Sequence, residues 1–212
     1  MKKYNTYLFD ADGTIIDTAD LIIESYRNTL EHYGAAPQTR ENILRFMGIP
    51  FAKQMELYMG TQTPEKMKEI NRFHWNYQVK IHEEFLKEGP GTSSALAMLK
   101  KNAAKLAVVT SRTRSTLDMY LKKLNILHFF DLTVTPEDVV NPKPHHESCS
   151  KALEILKSEA EETLFVGDAI YDQQSAKGVN IDFAYVQWSH IPIEKFSPEP
   201  EYILKNMTDL LK

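Results

Sequence analysis

The feature that most constrains the fold is a series of short apolar runs, each ending in polar residues. The runs are TYLF, KLAVV, LTV, TLFV, FAYV and EYIL, at residues 6–9, 105–109, 132–134, 163–166, 183–186 and 201–204. They do not alternate between apolar and polar residues, which is typical of strands buried on both faces. Between these runs, segments 93–101, 114–125 and 146–158 have the residue pattern of helices. This alternation predicts an α/β fold with a parallel sheet and helices on both faces.

Residues 18–87 interrupt the alternation, because they read as helix throughout. The helical segments are 19–34, 40–48, 51–60 and 64–87, separated by Gly34, Gly48, Gly60 and Pro64. We therefore expect a helical insert at 18–87, directly after the first strand, and a core made of residues 1–17 and 88–212. Residues 88–94 would be the linker back into the core, and Thr92 or Ser93 would cap the helix that follows.

Composition narrows the function classes. The 212 residues are 42% hydrophobic and 25% charged, which is ordinary for a globular protein, and the net charge of −4 argues against a nucleic-acid platform. The single cysteine, Cys149, excludes an internal disulfide. No apolar run is long enough for a signal peptide or a membrane span, so we expect a cytoplasmic protein without a membrane partner.

Polar side chains follow the apolar runs, at the end of each strand where ligands bind in such sheets. Asp10 and Asp12 follow the first run with only Ala11 between them, and two such carboxylates repel unless a cation or a proton intervenes. The carboxyl ends of parallel strands share one edge of the sheet. We expect these side chains to meet there: Asp10, Asp12, Thr110, Ser111, Lys143, Asp168 and Asp172. Clustered acids of this kind suit Mg²⁺, which takes oxygen ligands.

Four motifs, DADGT, VVTS, NPKP and VGDAIYD, occur in that order at 10–14, 108–111, 141–144 and 166–172. With them the chain resembles the haloacid dehalogenase-like hydrolase superfamily, and its phosphoglycolate-phosphatase-like branch in particular. The resemblance implies a Rossmann-like core with a small helical cap. It also implies a Mg²⁺-dependent phosphoric monoester hydrolase that acts on a small phosphorylated metabolite similar to phosphoglycolate. We expect the protein to be a monomer or a homodimer.

The resemblance also implies roles for single residues. Asp10 would be the nucleophile that forms an aspartyl-phosphate, and Asp12 the general acid that later activates water as a base. Thr110 and Lys143 would bind the phosphoryl group. The Mg²⁺ ligands would be Asp10, the backbone carbonyl of Asp12 and Asp168, with Asp172 supporting them from outside the coordination sphere.

Three further residues are candidate substrate contacts. Ser111 and Arg112 follow the phosphate-binding hydroxyl, and Arg112 either reaches a substrate anion or faces solvent. Arg45 lies in segment 44–55, which resembles the cap segment facing the substrate; it binds an anionic group there or is a surface residue. His145 and His146 match no zinc pattern and are expected at the surface or in a helix cap.

Two other functions stay open at the sequence level. A phosphosugar mutase shares all four motifs but returns the phosphoryl group to a bound sugar. A non-catalytic interaction module is the third hypothesis, although the presence of every motif residue argues against it.

Overall fold

The computed structural model describes residues 1–46, 49 and 51–212. The strands, in chain order, are β1 (Thr6–Phe9), β2 (Ile16–Asp17), β3 (Lys87–Glu88), β4 (Lys105–Val109), β5 (Leu132–Val134), β6 (Thr163–Gly167), β7 (Asp182–Val186) and β8 (Tyr202–Leu204). The α-helices are α1 (Ala19–His32), α2 (Arg40–Arg45), α3 (Phe51–Met59), α4 (Pro64–Phe85), α5 (Thr92–Lys101), α6 (Arg114–Lys123), α7 (Glu147–Leu156) and α8 (Ile170–Lys177). Short 3-10 helices lie at Leu127–Phe129, Pro136–Asp138, Ala160–Glu162, Ile193–Lys195 and Met207–Leu211.

Six strands form one parallel sheet in the order β5-β4-β1-β6-β7-β8. The predicted α/β, Rossmann-like fold is confirmed, and each of the six predicted strands lies within one residue of its predicted bounds. The chain order of this sheet reverses beside β1, which pairs with β4 on one side and β6 on the other. Ligands bind at such a switch point in open α/β sheets.

The sheet is buried because its strands are apolar on both faces. Leu8 and Phe165 from the central strands pack with Cys149 and Ala152 of α7 in one core cluster. Tyr7 and Phe9, which alternate with Leu8 along β1, point to the opposite face and are also buried. Cys149 is therefore a core residue, and burial raises the pKa of its thiol to about 12.

Two local predictions were wrong. The residue that precedes α5 is Gly91, at φ +75°, and not Thr92 or Ser93. In place of a capping hydroxyl, the carboxylate of Glu88 accepts the Ser93 N–H over 3.0 Å. The linker is shorter than predicted, since β3 ends at Glu88 and α5 begins at Thr92. The antiparallel pair β2–β3 was not predicted, because strands of two residues carry no periodicity.

Contacts divide the chain into two compact units, Met1–Asp17 with Lys87–Lys212, and Thr18–Leu86. The second unit contains α1 to α4 around an apolar cluster of Ile23, Tyr26, Leu30, Ile43, Met55 and Ile70. Thr39 and Thr63 cap α2 and α4 by accepting backbone N–H groups. The predicted helix 40–48 is observed as far as Arg45; Met47, Gly48 and Pro50 lie outside the described residues.

No helix in the described part of the chain combines the length and the apolar character needed to cross a membrane.

Candidate active site

A buried lysine lies at the carboxyl end of the central strands. Lys143 Nζ donates to Oδ1 of Asp10 over 2.6 Å, to Oδ1 of Asp172 over 2.6 Å and to the carbonyl of Val109 over 3.0 Å. An ammonium has three donors, so all of them are used. Asp10 directly follows β1, and its N–H donates to Val166 of β6 over 2.9 Å. The structure thus brings together three residues that stand far apart in the sequence.

Asp172 links this lysine to the turn before α8. Its Oδ2 accepts the N–H of Asp168 over 3.2 Å and that of Ala169 over 2.9 Å, at the N-terminal end of the helix. Its Oδ1 accepts from Lys143. Both oxygens are therefore engaged within the protein, which suits the supporting role expected of Asp172.

Asp168 is held by a residue that the sequence analysis did not select. Ser189 Oγ donates to Oδ2 of Asp168 over 3.0 Å, and the same Oγ accepts the N–H of Ile191 over 3.0 Å. Ser189 follows the run at 183–186 and belongs to its polar tail, QWS. The rule that selected the other polar tails would have found it.

The acids of this site are arranged as a candidate metal centre. Asp10, Asp168 and Asp172 are all buried, and each offers a carboxylate oxygen within 4.8 Å of the others. Within the described residues, no donor reaches Oδ2 of Asp10 or Oδ1 of Asp168. Carboxylate oxygens are the hard ligands that Mg²⁺ prefers, and these two are not engaged by the donors of the described residues, so the residues fit the predicted ion.

The pKa shifts of the buried acids are consistent with a binding site for a cation. Burial, followed by the charges of Asp172 and Asp12, raises the pKa of Asp10 to about 7 against the opposing effect of Lys143. Burial, and then the charges of Asp10 and Asp172, raise the pKa of Asp168 well above its ordinary value. Burial lowers the pKa of Lys143, but its two carboxylate partners outweigh this and raise it overall. One ammonium therefore does not neutralise three carboxylates.

The turn after Asp10 requires glycine. Gly13 has φ +76°, and its N–H donates to the carbonyl of Ile16 over 2.8 Å. A Cβ on Gly13 would lie 2.3 Å from Oδ2 of Asp168. The glycine therefore allows both a left-handed backbone and close approach to this carboxylate.

Asp12 stands apart from the cluster and has its own cation. Arg112 donates from Nε to Oδ2 over 2.8 Å and from Nη2 to Oδ1 over 2.7 Å. Thr110 is buried, and its Oγ1 accepts the N–H of Arg112 over 3.1 Å. Thr113, and not Thr110, immediately precedes α6. Ser111 is exposed.

The remaining candidates lie elsewhere. Arg45 ends α2 in the helical unit, where its guanidinium lies 5.7 Å from the Phe46 ring, and its contact with substrate stays a prediction. His145 and His146 are exposed, and His146 occupies the residue before α7, as expected of surface or capping positions.

The family follows from comparison with known proteins. The model of the haloacid dehalogenase-like hydrolase family matches residues 7–186, which include all four motifs. The chain belongs to this family. The predicted resemblance and the prediction of an enzyme, a hydrolase of the phosphatase type, are confirmed.

Relatives cover nearly the whole chain. The chain is 37% identical to pyrophosphatase PpaX of Anoxybacillus flavithermus, over 98% of this chain and 95% of the relative. It is also 37% identical to pyrophosphatase PpaX of Bacillus velezensis, over 99% of this chain and 96% of the relative. The crystal structure of a predicted phosphoglycolate phosphatase from Haemophilus somnus has a TM-score of 0.89 at 19% identity, covering 100% of this chain and 98% of that one. This last likeness shows the fold alone.

Proposed function

We propose that the chain is a Mg²⁺-dependent phosphatase that transfers a phosphoryl group to Asp10 and then to water, and that inorganic pyrophosphate is its substrate. The reaction rests on one observation, the buried Asp10 held by Lys143 beside two further acids. The substrate rests on two relatives, each 37% identical over 98% or more of this chain, that are named pyrophosphatases.

The chain's residues suit the first step. A carboxylate and a phosphate repel each other, so a nucleophilic carboxylate needs cations close by. Lys143 supplies one within 2.6 Å of Asp10 and, with its N–H donors, orients that carboxylate. Mg²⁺, bound by Asp10 and Asp168, would neutralise the phosphoryl oxygens as their charge shifts. The backbone carbonyl of Asp12 as a further ligand stays a prediction.

Asp12 suits the proton transfers. Its carboxylate is not among the three that form the candidate metal centre of the described chain, and it is contacted by Arg112. It would give a proton to the leaving oxygen and then take one from the attacking water, as a general acid and base. Phosphate leaves as a much weaker base than an alkoxide. Pyrophosphate therefore depends less on this acid than an alkyl phosphate does.

Trapping the intermediate tests the reaction. We expect ³²P-labelled pyrophosphate with Mg²⁺, quenched in acid after a single turnover, to leave label on the peptide that contains Asp10. Asp10→Asn should give none. Label on another residue, or ¹⁸O entering phosphate from water without any labelled protein, would overturn the scheme.

A substrate comparison tests the specificity. We expect kcat/KM for pyrophosphate to exceed the values for phosphoglycolate and hexose phosphates. A preference for phosphoglycolate would replace the proposed substrate with the one the sequence motifs suggest. Isomerisation of a hexose phosphate, without net phosphate release, would identify a mutase.

A further inference from the structure

The carboxylate of Asp12 is held by a fork of two hydrogen bonds. Nε and Nη2 of Arg112 reach its two oxygens over 2.8 and 2.7 Å. Two parallel bonds fix the plane of a carboxylate as well as its position, which a single bond or a lysine does not. The reaction described above assigns no task to Arg112.

Arg112 is itself fixed in place. Its side chain is only 6% exposed, and its guanidinium carbon lies 4.4 Å from the ring centroid of Tyr120, a fully buried residue of α6. Its backbone N–H is bonded to Thr110. A guanidinium that packs on a buried ring and is tied at its backbone provides a rigid anchor for its partner.

The sheet register builds this pair into the fold. Phe9 of β1 lies opposite Val108 of the adjacent parallel strand β4. The chain therefore leaves both strands at the same edge, and positions 12 and 112 come from neighbouring strand ends. The pair joins residues 100 positions apart in the sequence.

The acids of the site are paired with two different cations. Lys143 contacts Asp10 and Asp172, whereas Asp12 is contacted by Arg112. A buried guanidinium stays ionised and is costly without a partner. Arg112 therefore holds the carboxylate of Asp12 and keeps it apart from the acids of the candidate metal centre.

We propose that Arg112 is a positioning residue that fixes Asp12 as the acid and base of the reaction, an inference that rests on the proposed function. In the first step an oxygen of Asp10 bonds to phosphorus, the bond to the leaving oxygen breaks, and that oxygen takes the proton of the Asp12 carboxyl. In the second step Asp12 takes a proton from water, the water oxygen bonds to phosphorus, and the phosphorus–Asp10 bond breaks. When Asp12 is ionised both bonds of the fork hold it, and when it is protonated the oxygen without the proton still accepts from Arg112.

Leaving-group dependence tests this role. kcat/KM is measured with Mg²⁺ for 4-nitrophenyl phosphate, whose phenolate leaves without a proton, and for glycerol phosphate, whose alkoxide needs one. Because acid–base catalysis is worth about 10²–10⁴-fold, we expect Arg112→Gln to lose about 10²-fold on glycerol phosphate and less than about 10-fold on the aryl ester. Arg112→Lys should fall between, since it restores the charge without the fork.

Two comparisons make the result specific. Arg114→Gln is the matched control, because Arg114 lies two residues further on and pairs with Asp138 instead; its ratio between the two substrates should equal that of the wild type. On glycerol phosphate, the double variant Asp12→Asn/Arg112→Gln should be no slower than Asp12→Asn, because both changes disable one acid.

Other outcomes overturn the inference. Equal losses on both substrates, carried by a raised KM, identify Arg112 as a substrate-binding residue. Additive losses in the double variant show that Arg112 acts independently of Asp12. If circular dichroism shows that Arg112→Gln is unfolded, Arg112→Lys is read by the same criteria. A wild type that does not turn over pyrophosphate with Mg²⁺, or turnover of pyrophosphate undiminished in Asp10→Asn, refutes the proposed function itself and this inference with it.

Discussion

Lys143 and Asp10 form a buried ion pair, with Nζ 2.6 Å from Oδ1 and side chains only 3% and 9% exposed. The same ammonium lies 2.6 Å from Oδ1 of Asp172. A charge placed between a nucleophile and a supporting carboxylate fixes the nucleophile's orientation. It also lies where negative charge arrives when a phosphate binds.

Removing that charge should abolish most of the activity. Preorganised charge partners are worth about 10²–10³-fold in rate, so we expect Lys143→Met to reduce kcat/KM by that factor. Lys100→Met is the matched control, since Lys100 also pairs with an aspartate, Asp131, but is one-third exposed. Steady-state kinetics with Mg²⁺ measures both variants. Near-normal activity in Lys143→Met would show that this lysine is structural.

Stability should depend on pH in the absence of Mg²⁺. Burial raises the pKa of Asp10 to about 7 and that of Asp168 well above normal, whereas an unfolded aspartate titrates near about 3.9. The folded state therefore binds more protons between these values. The associated stability is fully present below about pH 4 and is lost as pH rises through about 7.

Thermal unfolding in EDTA measures this dependence. We expect Tm to fall between about pH 5 and 8, added Mg²⁺ to reverse much of the fall, and Asp10→Asn to flatten it. Asp20→Asn is the control, because Asp20 forms a half-exposed ion pair with Arg40. A Tm that rises over this range in EDTA contradicts the assignment, as does an equal response to Mg²⁺ in Asp10→Asn.

Much of the fold could be predicted because buried parallel strands appear in a sequence as short apolar runs. The polar residues that end those runs converge by topology alone, which explains why Asp10, Lys143 and Asp168 could be selected together. Pairings that depend on the path of a loop could not be predicted. The fork between Arg112 and Asp12 depends on how two loops leave adjacent strands, which no local pattern encodes.

The helical unit also shows what a local sequence pattern does not predict. Within the aromatic segment 72–77 of α4, His74 is buried but the neighbouring Trp75 is 37% exposed. Residue type predicts burial only on average, and the rotation of α4 decides which side chain points inward. His74 accordingly lies among rings, at 4.9 Å from Tyr26 and 4.5 Å from Phe51, and burial lowers its pKa to about 3.

Ser189 should set the affinity for Mg²⁺. It holds Oδ2 of Asp168, which leaves Oδ1 as the oxygen available to an ion. Loss of such an outer hydrogen bond costs about 10–100-fold in metal affinity, so we expect Ser189→Ala to weaken Mg²⁺ binding by at least about 10-fold. Calorimetric titration with Mg²⁺ measures this without substrate. Ser150→Ala, whose hydroxyl contacts His146, should bind Mg²⁺ normally; equal affinities would exclude the role of Ser189.

Gly13 and Gly60 allow backbone strain to be separated from damage to the site. Their φ angles are +76° and +74°, so an alanine pays the same conformational penalty at each, about 1–2 kcal/mol. Nothing lies within 4 Å of a Cβ on Gly60, whereas a Cβ on Gly13 would lie 2.3 Å from Oδ2 of Asp168. Gly60→Ala should therefore lose only the conformational penalty, whereas Gly13→Ala should lose more stability, because it also displaces Asp168 and breaks its bond to Ser189.

We accordingly expect Gly13→Ala to lose most Mg²⁺ binding and activity, and Gly60→Ala to keep both. Chemical denaturation gives the loss of stability, and calorimetric titration with Mg²⁺ gives the effect on the site. If both variants bind Mg²⁺ equally well, the carboxylate of Asp168 either tolerates the displacement or does not hold the ion. Asp168→Asn decides between these, because loss of a direct ligand weakens binding far more than loss of a neighbouring charge does.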